Sequence, residues 1–329
     1  DTREEWHQII KDVENAGSDG IELNFGCPHG MCERGMGTAV GQEPNVLTTI
    51  VGWVMEAATV PVIVKLTPNI TDITEPARAA VRGGADAISL INTIQSITRI
   101  DLDTFVPEPA VDGKSTNGGY CGPAVKPIAL NMVKNCALDP EVTIPISGIG
   151  GIETWQDAAE HMLLGASNVQ VCTAVMHYGF RIVKEMTSGL EQYMRDKGME
   201  TLDDIIGKSL PRVKNWEELN LHYKVVADIN SEKCIGCQLC YIACEDGAHQ
   251  AISIAGSNGQ RVPKIIEENC VGCNLCSHVC PVEECITMVR RDDGSRDENW
   301  KQYIAADKAP TTFEDQRAGG VGHYIPKPS

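Results

Sequence analysis

One cysteine pattern occurs twice near the C-terminus, as CIGCQLCYIAC at residues 234–244 and as CVGCNLCSHVCP at residues 270–281. The two copies hold eight of the fourteen cysteines in the chain. Three thiolates at this spacing bind one cubane cluster, and the fourth, carried on the helix that follows, binds the other cluster. The repeat therefore predicts two [4Fe-4S] clusters and a role in electron transfer.

The predicted ligand sets cross between the two copies. We expect one cluster on Cys234, Cys237, Cys240 and Cys280, and the other on Cys270, Cys273, Cys276 and Cys244. The alternative is a pair of structural zinc sites. Zinc requires two Cys-x-x-Cys pairs for each ion and gives no role to the third cysteine or to the final Cys-Pro. The first copy ends in Cys244-Glu245 instead of Cys-Pro, which weakens its match without removing a ligand.

The chain of 329 residues is acidic, with 45 Asp and Glu against 28 Lys and Arg and a formal net charge of -17. This charge repels phosphate backbones and anionic lipids, so we expect neither a nucleic-acid nor a membrane partner. No apolar run approaches the roughly 20 residues of a membrane span, and the first residues lack the pattern of a secretory leader. Cysteines spaced for metal predict a reducing compartment, with the cytoplasm as the expectation. Because the chain begins at Asp1, we expect the natural N-terminus upstream.

Before the cysteine repeat, short apolar runs alternate with helical patterns, which predicts parallel strands joined by crossover helices. The predicted strands are Ile21–Asn24, Val62–Lys65, Ala87–Ile91, Thr143–Ser147 and Val169–Val171. The predicted helices are Arg3–Ala16, Asn45–Ala58, Ile73–Arg82, Val125–Cys136, Thr154–Leu164 and Arg181–Arg195. Five strands allow two interpretations: an open five-stranded sheet, or a (β/α)8 barrel whose first three βα units are missing.

The last two predicted strands end in the glycine-rich turn Ser147–Gly151 and in Gln170–Thr173. Such ends are typical of the phosphate site of barrels, where backbone N–H groups and a helix N-terminus hold a phosphate. Ordinary helix-entry turns are the alternative. No Gly-x-Gly-x-x-Gly follows the first strand of a βαβ unit, so a dinucleotide site of that type is not predicted.

Four segments are predicted along the chain. They are a partial barrel at 1–195, a helical connector at 196–228 with a break at Pro211, a cluster domain at 229–290 and an extended or partly disordered tail at 291–329. Short strands follow both cysteine copies, at Ala251–Ile254 and Cys285–Met288. This repetition predicts that the cluster domain is an internal duplication.

A long glycine-rich loop, NFGCPHGMCERGMG at residues 24–37, starts at the end of the first predicted strand. Barrel enzymes place catalytic groups at this end of a strand. Cys27 is the sharpest candidate, because a thiol is mostly protonated at neutral pH and can donate a proton as well as act as a nucleophile. The alternative is a small buried residue without a catalytic role. We expect residues 29–37 to close over a substrate.

Polar side chains end two further predicted strands. Lys65 can place positive charge beside a flavin ring, or it can be an ordinary surface lysine. Asn92 carries an amide whose donor and acceptor match the alternating C=O and N–H edge of a pyrimidine. The alternative is that Asn92 and Thr93 only form a turn.

Together and in order, these motifs resemble the dihydropyrimidine dehydrogenase family. The resemblance extends over about residues 1–290 and rests on the 24–37 loop, Lys65–Asn69, Asn92-Thr93, Lys126–Leu130, Gly150-Gly151 and the cysteine repeat. It is strongest to the FMN and iron-sulfur subunit of the bacterial NAD-dependent enzymes. It implies a (β/α)8 TIM barrel of the dihydroorotate dehydrogenase type that binds FMN, with its first strands missing, followed by a ferredoxin-like α+β domain with two [4Fe-4S] clusters.

The resemblance also implies roles for individual residues. Cys27 would be the catalytic acid and base. The substrate would be bound by Asn24, Gly26, Asn92 and Thr93, and FMN by Lys65, Gly122, Ile149, Gly150, Gly151, Cys172 and Thr173. No role is assigned to Cys32, Cys121, Cys136 and Cys285, which we expect to be buried or incidental thiols.

The implied reaction is the reversible reduction of the 5,6 double bond of uracil or thymine to the dihydro form. Electrons from NADH would enter through a partner flavoprotein subunit that binds FAD and NAD, and would pass through both clusters to FMN. Reduced FMN would give a hydride to C6 while Cys27 protonates C5. Two alternatives stay open: a dihydroorotate dehydrogenase-like FMN enzyme with fused clusters, and a non-catalytic iron-sulfur electron-transfer subunit.

Two features depart from the family pattern. Gly26 stands where the family has a serine, so a hydroxyl that could bind the substrate is lost. The upstream barrel strands, which in the family supply another flavin lysine and another substrate asparagine, are missing. A barrel without three strands would expose two unpaired strand edges.

Overall fold

The computed structural model describes residues 2–29, 35–221, 223–255, 261–292, 294 and 298–306. The chain forms two compact units, Asp1–Val213 and Lys214–Ser329. In the described part of the chain, no helix has both the length and the apolar character needed to span a membrane.

Strands and helices alternate along the first unit. Its strands are β1 (Ile21–Asn24), β2 (Val62–Lys65), β3 (Ala87–Leu90), β4 (Ile94–Ser96), β5 (Arg99–Ile100), β6 (Pro107–Glu108), β7 (Ala110–Val111), β8 (Lys114–Ser115), β9 (Gly118–Tyr120), β10 (Ile146–Ile149) and β11 (Asn168–Gln170). Its helices are α1 (Arg3–Asn15), α2 (Thr38–Gly41), α3 (Pro44–Ala57), α4 (Thr74–Gly83), α5 (Lys126–Leu138), α6 (Trp155–Leu163), α7 (Thr173–Tyr178) and α8 (Arg181–Asp196).

Five strands form one parallel sheet in the order β1-β2-β3-β10-β11. In a flat sheet the outer strands β1 and β11 would lie roughly 19 Å apart, four strand spacings of about 4.8 Å each. Yet the Gln170 side-chain amide on β11 donates a 2.7 Å hydrogen bond to the Glu22 carboxylate on β1. The sheet therefore curls strongly, as the wall of a barrel does.

The two faces of this sheet differ in character. Val62, Val64 and Leu90 are fully buried in the apolar core that also contains side chains of α3, α4 and α5. The opposite face carries polar side chains, among them Lys65 and Gln170, near the C-terminal ends of the strands. This alternation keeps the apolar face under the helices and leaves the polar face for a site.

The sequence predicted β1 and β2 at their observed residues, but β10 was placed too early. It begins at Ile146 and not at Thr143, because Pro145 has no N–H to give to a ladder and its carbonyl only accepts from Ile88. The helices α2 and α7 were not predicted, since four and six residues show too little periodicity.

The sequence also did not predict the segment between β3 and α5, where six short strands form three antiparallel pairs. The pairs are β4 with β9, β5 with β6, and β7 with β8. Strands of two or three residues show no clear alternation of apolar and polar side chains. The side chain of Asn117, in this segment, donates to the Pro28 carbonyl and so ties the segment to the 24–37 loop.

The second unit is built from two matching halves. Its elements are β12 (Lys224–Ile229), α9 (Leu239–Asp246), β13 (Ile252–Ala255), β14 (Val262–Ile265), α10 (Leu275–His278), β15 (Ile286–Arg291) and α11 (Trp300–Ala305). Antiparallel pairs join β12 to β15 and β13 to β14. Gly236 and Gly272 both have φ of 70°, and Gln238 and Asn274 have φ of 65° and 64°. The predicted duplication is thus present in the backbone.

Two predicted segments need correction. The expected helical connector at 196–228 contains three 3-10 turns, Leu202–Asp204, Leu210–Arg212 and Trp216–Glu218, and no α-helix after Asp196 in its described residues. Two of these turns start at their own capping boxes. The third contains Pro211, which has no N–H and so cannot continue a helix that runs in from the residues before it. In the expected tail, α11 is helical, and residues 307–329 lie outside the described residues.

Candidate active site

The loop after β1 holds Cys27 in a fixed backbone position. The Thr38 hydroxyl at the start of α2 donates to the Gly26 carbonyl at 2.8 Å, and the Thr38 N–H donates to the Cys27 carbonyl at 3.1 Å. The Cys27 thiol is partly buried, and its Sγ lies 3.4 Å from Nδ1 of His29. The loop therefore presents a thiol beside an imidazole. Residues 30–34, including Cys32, lie outside the described residues.

The four predicted substrate residues lie together at the ends of β1 and β3. The Asn92 side-chain amide donates to Oδ1 of Asn24 at 2.9 Å, and the Gly26 N–H donates to the same oxygen at 3.3 Å. The Thr93 N–H donates to Oδ1 of Asn92 at 2.7 Å. A Cβ on Gly26 would lie only 2.4 Å from Cβ of Asn92, so a residue without a side chain is what allows Asn92 to pack here.

Lys65 is part of a polar network that crosses the sheet. Its ammonium donates to the Glu22 carboxylate at 2.9 Å and to Oε1 of Gln170 at 3.1 Å. The hydroxyl of Ser89 also donates to Glu22, at 2.8 Å. Burial opposes ionisation of Glu22, but hydrogen bonds from Lys65, Gln170 and Ser89 outweigh it and lower the pKa of this carboxyl. The network thus fixes an ammonium–carboxylate pair inside the curled sheet.

A cavity at the C-terminal ends of the strands brings together the predicted flavin residues. The predicted substrate residues Asn92 and Thr93 also line the cavity. The seven predicted flavin residues that line it are Lys65, Gly122, Ile149, Gly150, Gly151, Cys172 and Thr173. The unassigned Cys121 lines it as well, and its sulfur accepts a hydrogen bond from the Thr173 hydroxyl.

The glycine-rich end of this cavity fits a phosphate group. Gly122 has φ of 90°, and a Cβ there would project toward Thr173, 3.6 Å from its methyl group. A Cβ on Gly151, which has φ of 73°, would lie 2.8 Å from the backbone nitrogen of Lys126. Helix α7 starts here, at Thr173, without a side-chain cap on its first N–H groups. Loops after two late strands and a short helix N-terminus are the phosphate site of barrels.

The cluster cysteines group in the second unit. Cys244 shares the lining of one cavity with Cys270, Cys273 and Cys276. Cys234 and Cys237 lie close enough to Cys240 to raise its thiol pKa further, although burial is the larger cause.

Burial, with a further contribution from the neighbouring Cys280 and Cys234, raises the pKa of the Cys285 thiol to about 11, which places Cys280 beside the first copy of the repeat. Burial raises the pKa of the Cys276 thiol to about 11, so an iron atom must favour the thiolate for this side chain to act as a ligand. Cys136, in contrast, is buried in the core of the first unit.

The cysteine geometry fits clusters better than zinc. Among the residues that the structure describes, no three His, Cys, Asp or Glu side chains surround a point where a single metal ion could bind. A cubane does not require such a point, because each of its four thiolates binds a different iron atom.

The structure adds residues that the sequence did not single out: Glu22, Gln170, His29 and His161. Glu22 interrupts the apolar pattern of β1, and a charged residue inside a short barrel strand is the signal that could have found it. His29 lies two residues after Cys27 in the sequence, but its contact with the thiol depends on the loop conformation. His161 lies on α6, 11 residues after the Gly150 carbonyl that it contacts, and nothing in the sequence pattern indicates this contact.

Comparisons with known proteins agree with this two-part architecture. A family model described as dihydroorotate dehydrogenase matches residues 1–194, and one described as 4Fe-4S dicluster domain matches residues 227–288. The NAD-dependent dihydropyrimidine dehydrogenase subunit PreA of Escherichia coli strain K12 is 47% identical over 289 residues, which are 88% of this chain and 69% of PreA. The chain belongs to the dihydropyrimidine dehydrogenase family.

Two further relatives match over shorter lengths. The chloroplastic dihydropyrimidine dehydrogenase (NADP(+)) of Arabidopsis thaliana is 49% identical over 209 residues, 62% of this chain and 49% of that protein. The catalytic subunit of dihydroorotate dehydrogenase B (NAD(+)) of Pyrococcus horikoshii is 42% identical over 209 residues, 64% of this chain and 65% of that protein. As a member of the dihydropyrimidine dehydrogenase family, the chain is an oxidoreductase. It joins a barrel domain of the FMN-binding dihydroorotate dehydrogenase type to a domain for two [4Fe-4S] clusters, as the sequence predicted.

Proposed function

We propose that the chain is the FMN and iron-sulfur subunit of an enzyme that reduces uracil and thymine reversibly at the 5,6 double bond. One observation carries this proposal: Asn92 and Thr93 line the same cavity as the flavin residues, and Asn92 is hydrogen-bonded to Asn24 beside the Cys27 loop. A planar pyrimidine and a planar flavin would therefore share one space. The similarity to PreA supports the same substrate class.

The second part of the proposal concerns electron supply. PreA is named as a subunit of an NAD-dependent enzyme, so we infer a partner flavoprotein subunit that binds FAD and NAD(H). When bound, FMN supplies the hydride for C6 of the pyrimidine, and the clusters supply its electrons. The ligand sets that we propose are Cys234, Cys237, Cys240 and Cys280 for one cluster, and Cys270, Cys273, Cys276 and Cys244 for the other.

Cys27 is the proposed proton donor. Its thiol gives a proton to C5 as the double bond is reduced, and its thiolate takes that proton back in the reverse direction. The Thr38 hydroxyl donates to the Gly26 carbonyl and the Thr38 N–H donates to the Cys27 carbonyl, which holds the backbone of Cys27 in place, and His29, 3.4 Å from the sulfur, restricts the side chain further. The proton is thus delivered from a defined position.

Asn24, Asn92 and Lys65 are the proposed polar contacts. The side-chain amides of Asn24 and Asn92 can each pair with one C=O or N–H group of a pyrimidine edge. The ammonium of Lys65 places a positive charge in the cavity, where negative charge develops during reduction. Glu22 keeps this ammonium directed across the sheet through the 2.9 Å ion pair.

Dihydroorotate oxidation is the second candidate, and the Pyrococcus horikoshii relative favours it. Orotate carries a carboxylate that requires a cation in the site. Among the described residues that line the cavity, Lys65 is the single cation, and it is paired with Glu22 and assigned to the charge that develops during reduction, so no second cation is left for a carboxylate. The cavity therefore suits a neutral pyrimidine better than orotate.

One experiment separates these functions. The full chain, assembled with an NAD-binding flavoprotein subunit of the PreA enzyme type, is analysed for FMN, iron and sulfide and assayed with uracil and orotate in competition. We expect FMN, two clusters and NADH oxidation that depends on uracil. Preference for orotate would favour the second candidate, and clusters without flavin would favour a non-catalytic electron-transfer subunit.

A further inference from the structure

His161 is a buried titratable residue in contact with the glycine turn of the cavity. It lies on α6 and is 0% exposed, and its Nε2 is 3.3 Å from the Gly150 carbonyl oxygen. A Cβ on Gly148 would lie 2.8 Å from Nδ1 of His161, so the glycine in β10 provides room for the imidazole. Within the described part of the chain, this Nδ1 has no hydrogen-bond partner.

The protonation of His161 follows from these contacts. A carbonyl oxygen can only accept a hydrogen bond, so Nε2 must carry the hydrogen. Burial lowers the pKa of His161 to about 4, although the hydrogen bond to Gly150 opposes this, and the ring is neutral near pH 7. Nδ1 then has a lone pair and no hydrogen. The imidazole therefore acts as a fixed donor to Gly150.

This donor controls the direction of one peptide group. In a trans peptide, the carbonyl of Gly150 and the N–H of Gly151 point in opposite directions. His161 binds the carbonyl and does not line the cavity, whereas Gly150 and Gly151 do. The N–H of Gly151 is thereby directed toward the cavity.

We propose that His161 is a positioning residue for an anionic group, and that it directs the Gly151 N–H toward the phosphate of FMN. This inference rests on the proposed flavin site. The neighbouring cations are already paired: Lys126 with Asp157 at 2.6 Å and with Glu160 at 2.9 Å, and Lys65 with Glu22. Backbone N–H groups must then supply most of the phosphate binding, so their direction decides affinity.

The test compares FMN with riboflavin, which lacks the phosphate. The dissociation constants of both flavins are measured for the flavin-free full chain as wild type, His161→Phe and His161→Gln. Phenylalanine fills the space without a donor, whereas glutamine keeps an N–H. For His161→Phe we expect FMN affinity to fall at least about tenfold, the usual effect of losing a hydrogen bond to a charged group, with riboflavin affinity unchanged within about twofold. His161→Gln should recover most of the FMN affinity.

Each result has a defined meaning. Equal losses for FMN and riboflavin, or an unchanged FMN affinity in His161→Phe, would overturn the positioning role. If wild type bound neither flavin, the proposed function itself would fail, and this inference with it. If His161→Phe did not fold, Gly148→Ala would replace it, because the added Cβ displaces the imidazole and should produce the same selective loss of FMN binding.

Discussion

The pH dependence of unfolding should depend on His161. Its pKa is lowered from 6.5 to about 4 in the folded protein because burial disfavours the imidazolium. Between these two values the unfolded chain binds more protons than the folded chain, so stability falls as pH falls. With 1.36 kcal/mol for each pKa unit, the loss between pH 7 and pH 5 amounts to about 2 kcal/mol. The stability that depends on a neutral His161 is fully present above pH 6.5 and is lost as the pH falls toward 4.

The perturbation is His161→Phe in the full chain, and the assay is urea-induced unfolding under anaerobic conditions at pH 7 and pH 5. Between pH 7 and pH 5, the free energy of unfolding of wild type should fall by about 2 kcal/mol more than that of the variant. Both proteins carry the same clusters, so the effect of the clusters on stability cancels in this difference. His177→Phe, at a side chain that is 56% exposed, serves as the matched control and should follow wild type. Equal losses in wild type and His161→Phe would refute the assignment of a buried neutral imidazole.

Two glycine substitutions provide further tests. Gly26→Ala puts a Cβ 2.4 Å from Cβ of Asn92, so we expect the protein to be destabilised by about 1–3 kcal/mol and the KM for uracil to rise at least about tenfold. The control is Gly52→Ala on α3, where a Cβ meets open space, and it should impair neither the stability nor the KM. An unchanged KM would show that Asn92 does not bind the pyrimidine. Gly272→Ala puts a Cβ 2.7 Å from a carbonyl oxygen of β12, whereas the Cβ of Gly236→Ala lies 3.4 Å from its nearest carbonyl oxygen. The iron content should therefore fall further in Gly272→Ala than in Gly236→Ala. Equal iron contents in the two variants would contradict this packing argument.

The sequence predicted those parts of the fold that depend on local patterns. The strands β1 and β2 consist of alternating or β-branched residues, and the helices α1 and α6 follow the N-cap residues Thr2 and Thr154, both of which form capping boxes. The cysteine repeat needed no tertiary information, because its spacing is itself the chemical signal.

The sequence could not predict features that depend on distant residues meeting. The bond between Glu22 and Gln170 joins positions 148 residues apart and exists only because the sheet curls. The contact of His161 with Gly150 spans only 11 residues, but neither residue indicates the other in the sequence. The hairpin segment between β3 and α5 was missed for a different reason: its short strands are stabilised by pairing and not by residue pattern.

The most direct measurement of the central claim compares wild type with Cys27→Ala, each assembled with the NAD-binding flavoprotein subunit. Reduction of the bound flavin by NADH and turnover of uracil are recorded on the same sample. The flavin should be reduced as in wild type, while uracil turnover falls at least about 100-fold, the usual contribution of a positioned acid. Cys27→Ser, which keeps a weaker donor, should fall between the two. Uracil turnover by Cys27→Ala at the wild-type rate would contradict the account.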